Sequence, residues 1–299
     1  MIVAAVDLGS NTTRLLVGRV EDGRVDELHR ESRITRLGEG VDSRRRLLPL
    51  PIARVRNVLT DYRRTTESLG ADRTLLVATS AVRDAENGEA FLGEIEWSYG
   101  FATQLLSGDE EAELTLRGVG ELAAGTLLVD IGGGSTEFAL DGFRASLPVG
   151  SVRFTERHGE DAEASVDAAR ALLPELGGPT SAVGVAATIT SLAALDLGLE
   201  AYDPSRVHDH VLTRDRARAQ LERLAALPLE ERRRLPALEP ERAPVIVAGA
   251  AILVAILDAY GLESIRVNER DLLDGAALAA AELPEPEEGA APPGAYTCC

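Results

Sequence analysis

Three apolar runs open the chain, at Ile2–Val6, Arg14–Val20 and Val25–Glu31, and polar or small residues separate them. Their aliphatic and β-branched content predicts three strands, the last two joined through the hairpin signal Asp22-Gly23. The period then changes. Ile52, Val55, Val58, Leu59, Tyr62 and Leu69 recur near every third or fourth position, which predicts a helix from about Ile52 to Leu69 with Gly70 as its stop. A strand at Thr74–Thr79, a helix at Gly88–Tyr99, a strand at Ala102–Leu106 and a helix at Asp109–Gly118 follow. Three strands return over Thr126–Leu147, with Asp141-Gly142 as a second hairpin signal. The order βββαβαβα, resumed with βββ, predicts α/β architecture with mixed sheets covered by helices.

Beyond Val149 the pattern is mostly helical. Candidate helices are Ala162–Leu173, Ile189–Leu195, Thr213–Leu227 and Ala243–Tyr260, with short strands at Ala182–Val185 and Ser264–Val267. The last helix is expected over Leu272–Leu283, before an acidic Pro-Glu run and a Gly/Ala/Pro stretch. A hinge near Gly118–Gly125 divides an expected first domain, 1–118, from a second, 119–283, and the final helix is free to cross back to the first. The tail, 284–299, lacks a packing pattern and is expected to be disordered.

Charge narrows the function classes. With 31 basic and 49 acidic residues the formal net charge is −18, which argues against a nucleic-acid or anionic-membrane footprint. A few arginines in a cleft still suffice for phosphate, and every Lys/Arg position here is an arginine. The cysteines are Cys298 and Cys299, so the body has no disulfide framework or thiolate metal site. Met1 runs straight into a strand with no basic leader, and the apolar stretch Val245–Leu257 is too short to span a bilayer. The expected location is the cytoplasm.

One string occurs twice. Val6-Asp7-Leu8-Gly9-Ser10-Asn11-Thr12-Thr13 returns as Val129-Asp130-Ile131-Gly132-Gly133-Gly134-Ser135-Thr136, each copy between two strand-like runs. Glycines and small hydroxyl residues at such a turn expose backbone N–H groups and let a phosphate come close. An aspartate at the strand end offers a hard oxygen to magnesium or its waters. A single copy is weak evidence, but recurrence in register points to two half-sites closing on one phosphate-bearing ligand. The register also aligns Arg14, a cation, with Glu137, a carboxylate. Asp130 and Glu137 then make a plausible open magnesium site, against the plainer reading of Glu137 as a solvated strand residue.

Ser107-Gly108-Asp109-Glu110-Glu111-Ala112 opens a helix at the junction of the halves. Ser107 and Glu110 have capping-box spacing, which leaves Glu111 over as a candidate base for a water attacking phosphate. Arg83 lies in a polar turn after a strand, where α/β proteins hold ligands, although surface arginines are common. Arg44-Arg45-Arg46 and Arg232-Arg233-Arg234 read as solvated faces or loops. His208-Asp209-His210 has ligand-like spacing but no third partner nearby.

These residues resemble the exopolyphosphatase/guanosine pentaphosphatase (Ppx/GppA) family. The resemblance rests on Val6-Asp7-Leu8-Gly9-Ser10-Asn11, on Ala78 through Ala85, on Ser107 through Ala112 and on Asp130 through Glu137, and it extends from about Ile2 to Ala281. It implies an actin-like, ribonuclease-H-like duplicated ATPase-type fold, two domains around an interdomain cleft. It implies metal-dependent hydrolysis of a terminal phosphoanhydride of inorganic polyphosphate or guanosine pentaphosphate. Glu111 would activate water. Asp7, Gly9, Ser10, Asn11, Thr12, Arg14, Arg83, Gly132, Gly133, Gly134, Ser135 and Thr136 would hold phosphates, and Asp130 and Glu137 would organise Mg2+, or Mn2+ in its place. A homodimer is suggested by the family alone. Many relatives carry Gly-Gly-Thr where this chain has Ala186-Ala187-Thr188, which puts a nucleoside contact in question, and longer members continue into a further helical domain. A kinase transferring phosphate to an acceptor and a non-catalytic alarmone- or polyphosphate-binding regulator are the alternatives.

Overall fold

The computed structural model describes residues 1–284, so Cys298, Cys299 and all but the first residue of the expected tail lie outside the described residues. The chain divides into two compact units: unit 1 is Met1–Gly118 together with the chain from Leu272, and unit 2 is Val119–Asp271.

Unit 1 runs β1 (Ile2–Leu8), β2 (Thr12–Glu21), β3 (Arg24–Ile34), α1 (Val41–Arg44), α2 (Pro49–Ser68), β4 (Arg73–Ala78), α3 (Ser80–Arg83), α4 (Gly88–Tyr99), β5 (Ala102–Leu105) and α5 (Gly108–Val119). Unit 2 begins with β6 (Thr126–Ile131), β7 (Thr136–Leu140), β8 (Phe143–Leu147), α6 (Ser151–His158), α7 (Ala162–Leu172), β9 (Ser181–Val185) and α8 (Ala186–Asp196). It continues through α9 (Pro204–Val207), β10 (Val211–Thr213), α10 (Arg214–Ala226), α11 (Leu229–Arg232), α12 (Ile246–Ala259) and β11 (Ser264–Val267). The last helix, α13 (Leu272–Ala281), belongs to unit 1.

Both sheets are built alike. Unit 1 has the order β3-β2-β1-β4-β5 and unit 2 has β8-β7-β6-β9-β11, with β10 added at the far edge. In each, an antiparallel three-strand meander precedes strands added in parallel to its first strand. This is the duplicated, ribonuclease-H-like order that the resemblance implied. Both meanders turn at Asp-Gly with positive φ at each residue, 49° and 71° at Asp22-Gly23 and 44° and 89° at Asp141-Gly142, the tight hairpin geometry their sequence favours.

The central strand β1 shows why α13 returns. Ala4, Val6 and Leu8 feed one core with Val55, Leu59 and Tyr62 of α2, while Val3 and Ala5 face a second core with Leu272, Leu273, Ala276, Ala277 and Ala280 of α13. Alternate side chains point to opposite faces of a sheet, so a strand apolar throughout needs a cover on each side. Unit 2 ends at Asp271, short of the expected 283, because the last helix takes the return to the first domain that the sequence left open: α13 covers the bare face of the first sheet. In unit 2 the matching cover is α12, buried from Ile246 to Leu257. An apolar helix with no polar face sits inside a core, and no helix among the described residues is long and apolar enough to cross a membrane.

Two local expectations fail. Helix α6 has no counterpart in the predicted elements. Arg232 is not solvated: its side chain is wholly buried, donating to the carbonyls of Leu227 (3.1 Å) and Ala243 (3.2 Å) and pairing with Glu160. Its neighbours Arg233 and Arg234 are exposed as expected.

Helix α13 meets α5 backbone to backbone at Gly275, where a Cβ would fall 1.8 Å from the Leu114 carbonyl oxygen. Gly275→Ala must push the helices apart and is expected to cost about 2–4 kcal/mol in urea unfolding. A loss within about 0.5 kcal/mol would contradict this packing.

Candidate active site

The repeated string folds into the same turn twice. Gly9 N–H donates to the Thr12 carbonyl at 3.0 Å, and Gly132 N–H donates to the Ser135 carbonyl at 3.0 Å. A Cβ at either glycine would crowd that accepting oxygen, at 3.0 and 3.1 Å. A side chain at either position would have to push that oxygen back by a few tenths of an ångström, so glycine favours closure of the turn in both units.

What lies behind each turn decides which way its amides point. In unit 2 the Gly132 carbonyl accepts from Ser151 N–H (3.0 Å), and the Gly133 carbonyl accepts from Val152 and Arg153 N–H (2.8 and 3.1 Å). The Gly134 carbonyl accepts from Arg153 Nε (2.7 Å). All three carbonyls face α6. A planar trans peptide sends the next N–H the opposite way, so the amides of Gly133, Gly134 and Ser135 point away from α6. No hydrogen bond is donated by these three amides among the described residues. Successive outward amides of this kind are suited to an anion. Unit 1 does the same with a loop: the Ser10 carbonyl accepts from Gly38 N–H (2.7 Å), and the Asn11 carbonyl accepts from Thr35 and Arg36 N–H (3.0 and 2.9 Å). The amides of Asn11 and Thr12 consequently face the other side. Ser10 Oγ lies 2.9 Å from Ser80 Oγ at the start of α3, which ties this turn to the helix that carries Arg83. Thr136 departs from its expected role: its hydroxyl donates to the Val149 carbonyl at 2.6 Å, supporting the turn from below.

Beside each turn a polar row crosses three strands. In unit 1, Asp7 faces Arg14 and Arg14 faces Ser32; in unit 2, Asp130 faces Glu137 and Glu137 faces Ser146. Arg14 grips Asp7 Oδ2 through Nε (2.9 Å) and Nη2 (2.7 Å), so the first row holds its own cation. The second row puts two buried carboxylates directly opposite one another, with Ser146 Oγ donating to Glu137 Oε1 at 2.7 Å. Directly opposed side chains share one sheet face within about 5.5 Å. Two hard carboxylates suit magnesium, which takes one or two of them and completes its shell with waters and phosphate oxygens. No cluster of three or more His, Cys, Asp or Glu side chains is placed to cage a metal among the described residues. Asp130 and Glu137 are the pair that could hold such an ion. His210 sits instead with Asp196 Oδ2 (2.8 Å), which Arg216 also reaches (2.9 Å).

Helix α5 separates its two glutamates. Glu110 closes the capping box: Ser107 N–H donates to Glu110 Oε2 (2.8 Å) and Glu110 N–H donates to Ser107 Oγ (3.3 Å). Those bonds, the backbone one first, hold the exposed Glu110 carboxyl below its usual range. Glu111 is 6% exposed, and its Oε2 accepts from Arg83 Nη1 at 3.1 Å. Arg83 is itself fixed by donating to the Leu106 carbonyl at 2.7 Å. The structure thus joins Arg83 to Glu111, two residues that the sequence offers only as separate candidates.

The sequence profile of the Ppx/GppA phosphatase family matches residues 16–282. The chain belongs to that family. It is an enzyme of the phosphatase class, 38% identical to exopolyphosphatase 2 of Mycobacterium tuberculosis over 93% of this chain and 98% of that protein. Against the guanosine-5'-triphosphate,3'-diphosphate pyrophosphatase of Photobacterium profundum the identity is 30%, over 92% of this chain and 58% of that protein. Among solved structures, an exopolyphosphatase-like protein superposes with a TM-score of 0.86 at 30% identity, covering 93% of this chain and 98% of that one. The Aquifex aeolicus Ppx/GppA family member gives 0.76 at 29% identity, covering 94% and 98%.

Within this Ppx/GppA chain the alanine-bearing third turn keeps a glycine-like backbone. Ala186, the first residue of α8 directly after β9, has φ of 66°, in the left-handed region that costs an L-residue about 1–2 kcal/mol. Ala186→Gly is expected to raise stability by about 0.5–1 kcal/mol in urea unfolding, the strain relief exceeding the entropy cost of glycine. The second glycine turn is more sensitive, because a Cβ on Gly150 would lie 2.4 Å from the Gly133 carbonyl oxygen. Gly150→Ala is expected to lower phosphate release by roughly 100-fold, since misplacing a binding group by about 1 Å costs that much. Activity within about threefold of the parent would show that the turn tolerates displacement.

Proposed function

We propose that this enzyme hydrolyses the terminal phosphoanhydride of inorganic polyphosphate. The single observation that carries the reading is the Glu111 carboxylate, buried and gripped by Arg83 while its neighbour Glu110 does the capping. A carboxylate beside a cap, with no part in the capping itself, is suited to take a proton from water. The name of the M. tuberculosis relative, which this chain matches over nearly its full length, supports polyphosphate over guanosine pentaphosphate.

In this reading the outward amides of Gly133, Gly134 and Ser135 in unit 2 hold the oxygens of a phosphate group, and within unit 1 the amides of Asn11 and Thr12 offer the same chemistry. Glu111 orients a water and accepts its proton as the water oxygen bonds to the terminal phosphorus. The bridging P–O bond breaks, and the shortened chain leaves with the electron pair. Arg83, itself fixed on the Leu106 carbonyl, aims the Glu111 carboxylate. Asp130 and Glu137 would hold magnesium, which when bound supplies positive charge to the phosphate oxygens. Charge stabilisation and positioning, and not covalent chemistry, carry most of the rate in phosphoryl transfer.

Glu111→Gln is expected to reduce phosphate release from polyphosphate by about 10²–10⁴-fold with tripolyphosphate binding retained, as for loss of a general base. Glu110→Gln should keep its rate and lose only stability. Equal rates for Glu111→Gln and the parent would refute the assignment, and faster release from guanosine pentaphosphate than from polyphosphate would refute the substrate. A chelator should abolish turnover and added magnesium restore it, with Glu137→Gln needing more magnesium for half-maximal rate. Turnover that persists through chelation would contradict the assignment of Asp130 and Glu137.

A further inference from the structure

Helix α6, which carries no residue of the expected site, begins just after Gly150 and ties off the triple-glycine turn from behind. Two of the three carbonyls of that turn are held by backbone amides, which any sequence at 151–153 would supply. The third is not. The Gly134 carbonyl is held by a side chain, Arg153 Nε at 2.7 Å, and Arg153 is 8% exposed. The Gly134–Ser135 peptide is one plane, so the group that fixes the Gly134 oxygen also fixes the direction of the Ser135 N–H. That amide is the last of the three outward donors. Its residue also closes the turn, through the Ser135 carbonyl accepting from Gly132. In unit 1 the corresponding oxygens are held by backbone amides of Thr35, Arg36 and Gly38, so the side-chain brace is peculiar to unit 2.

We propose that Arg153 is a positioning residue for phosphate hydrolysis, acting through the Gly134 carbonyl to aim the Ser135 amide at a phosphate oxygen. The proposal rests on the phosphatase reading of this turn. A planar guanidinium suits the task because its Nε–H is directed by the stem and rotates little. A buried donor of this kind costs conformational freedom, and its return is a peptide that cannot flip when the anion departs.

The test compares the full-length protein with Arg153→Met, which keeps the unbranched stem as far as the Nε position and removes every guanidinium donor. Affinity for tripolyphosphate is measured by calorimetry, phosphate release by steady-state kinetics and folding by thermal melting. The expected result is a loss of about tenfold in both affinity and kcat, smaller than the removal of an oxyanion donor because the amide is misdirected and not deleted. Added guanidinium ion at non-denaturing concentration should recover part of the rate, which a merely structural role would not allow. Should Arg153→Met fail to fold, Arg153→Lys answers the same question, with an intermediate affinity expected from its swivelling single donor. Parent-like affinity and kcat in a folded variant would overturn the proposal. A parent that binds tripolyphosphate without hydrolysing it, and a variant that binds more weakly, would support the brace while overturning the proposed hydrolysis of polyphosphate.

Discussion

Each half of this chain is organised around one short hydrogen bond inside a turn, Gly9 to Thr12 and Gly132 to Ser135. Closing the turn on itself draws two strands into antiparallel register and sets an aspartate directly opposite the residue seven positions on. The peptides between have no ladder to join. Their carbonyls are satisfied from one side, by a loop in unit 1 and by α6 in unit 2, which leaves the amides turned to the other. Backbone planarity converts a structural requirement into an anion-binding surface. On the proposed reading no side chain needs to carry the charge, so a net charge of −18 is compatible with a phosphate site at these turns.

The two copies have diverged where chemistry asks for it. Arg14 neutralises Asp7 within the first sheet, so that row is electrically closed. Glu137 in the same place leaves the second row with two opposed carboxylates, the pair proposed to hold a divalent ion. Unit 1 carries Glu111 on α5, whose position depends on the close approach of Gly275 to Leu114 one turn beyond it. Helix α13 thus fixes the helix that bears the proposed proton acceptor. Tyr62 adds a similar anchor from α2, donating to the Thr13 carbonyl at 2.9 Å, and burial raises its pKa well above the ordinary phenol range.

Much of this is legible in the residues. The repeat locates both turns, and β1, β4 and β6 stand out because buried strands with parallel neighbours read as unbroken apolar runs, while the Asp-Gly hairpin signals place β2, β3, β7 and β8 within a few residues. The capping box separates Glu110 from Glu111 without knowledge of any contact. What escapes are features set by tertiary demand. Helix α6 is short, and its Val152 and Phe154 alternate as in a strand. Gly150 ahead of it is the usable signal, since glycine there admits the Gly133 carbonyl. Arg232 reads as solvated within an arginine run because its carbonyl partners come from residues 227 and 243. The return of α13 becomes necessary only because β1 buries both faces. The Arg83–Glu111 pair joins residues from two elements, and neither segment names the other.

The direction of the turn amides is the physical claim beneath the functional reading, and it can be observed without turnover. The most direct measurement is a backbone amide NMR titration of the intact protein with a methylene-bridged, non-hydrolysable polyphosphate analogue in the presence of magnesium. The account predicts that the amide protons of Asn11, Thr12, Gly133, Gly134 and Ser135 shift downfield together and saturate, as N–H groups do on bonding an anion. Saturating binding that leaves those five resonances in place, with the shifts gathered elsewhere, would contradict it.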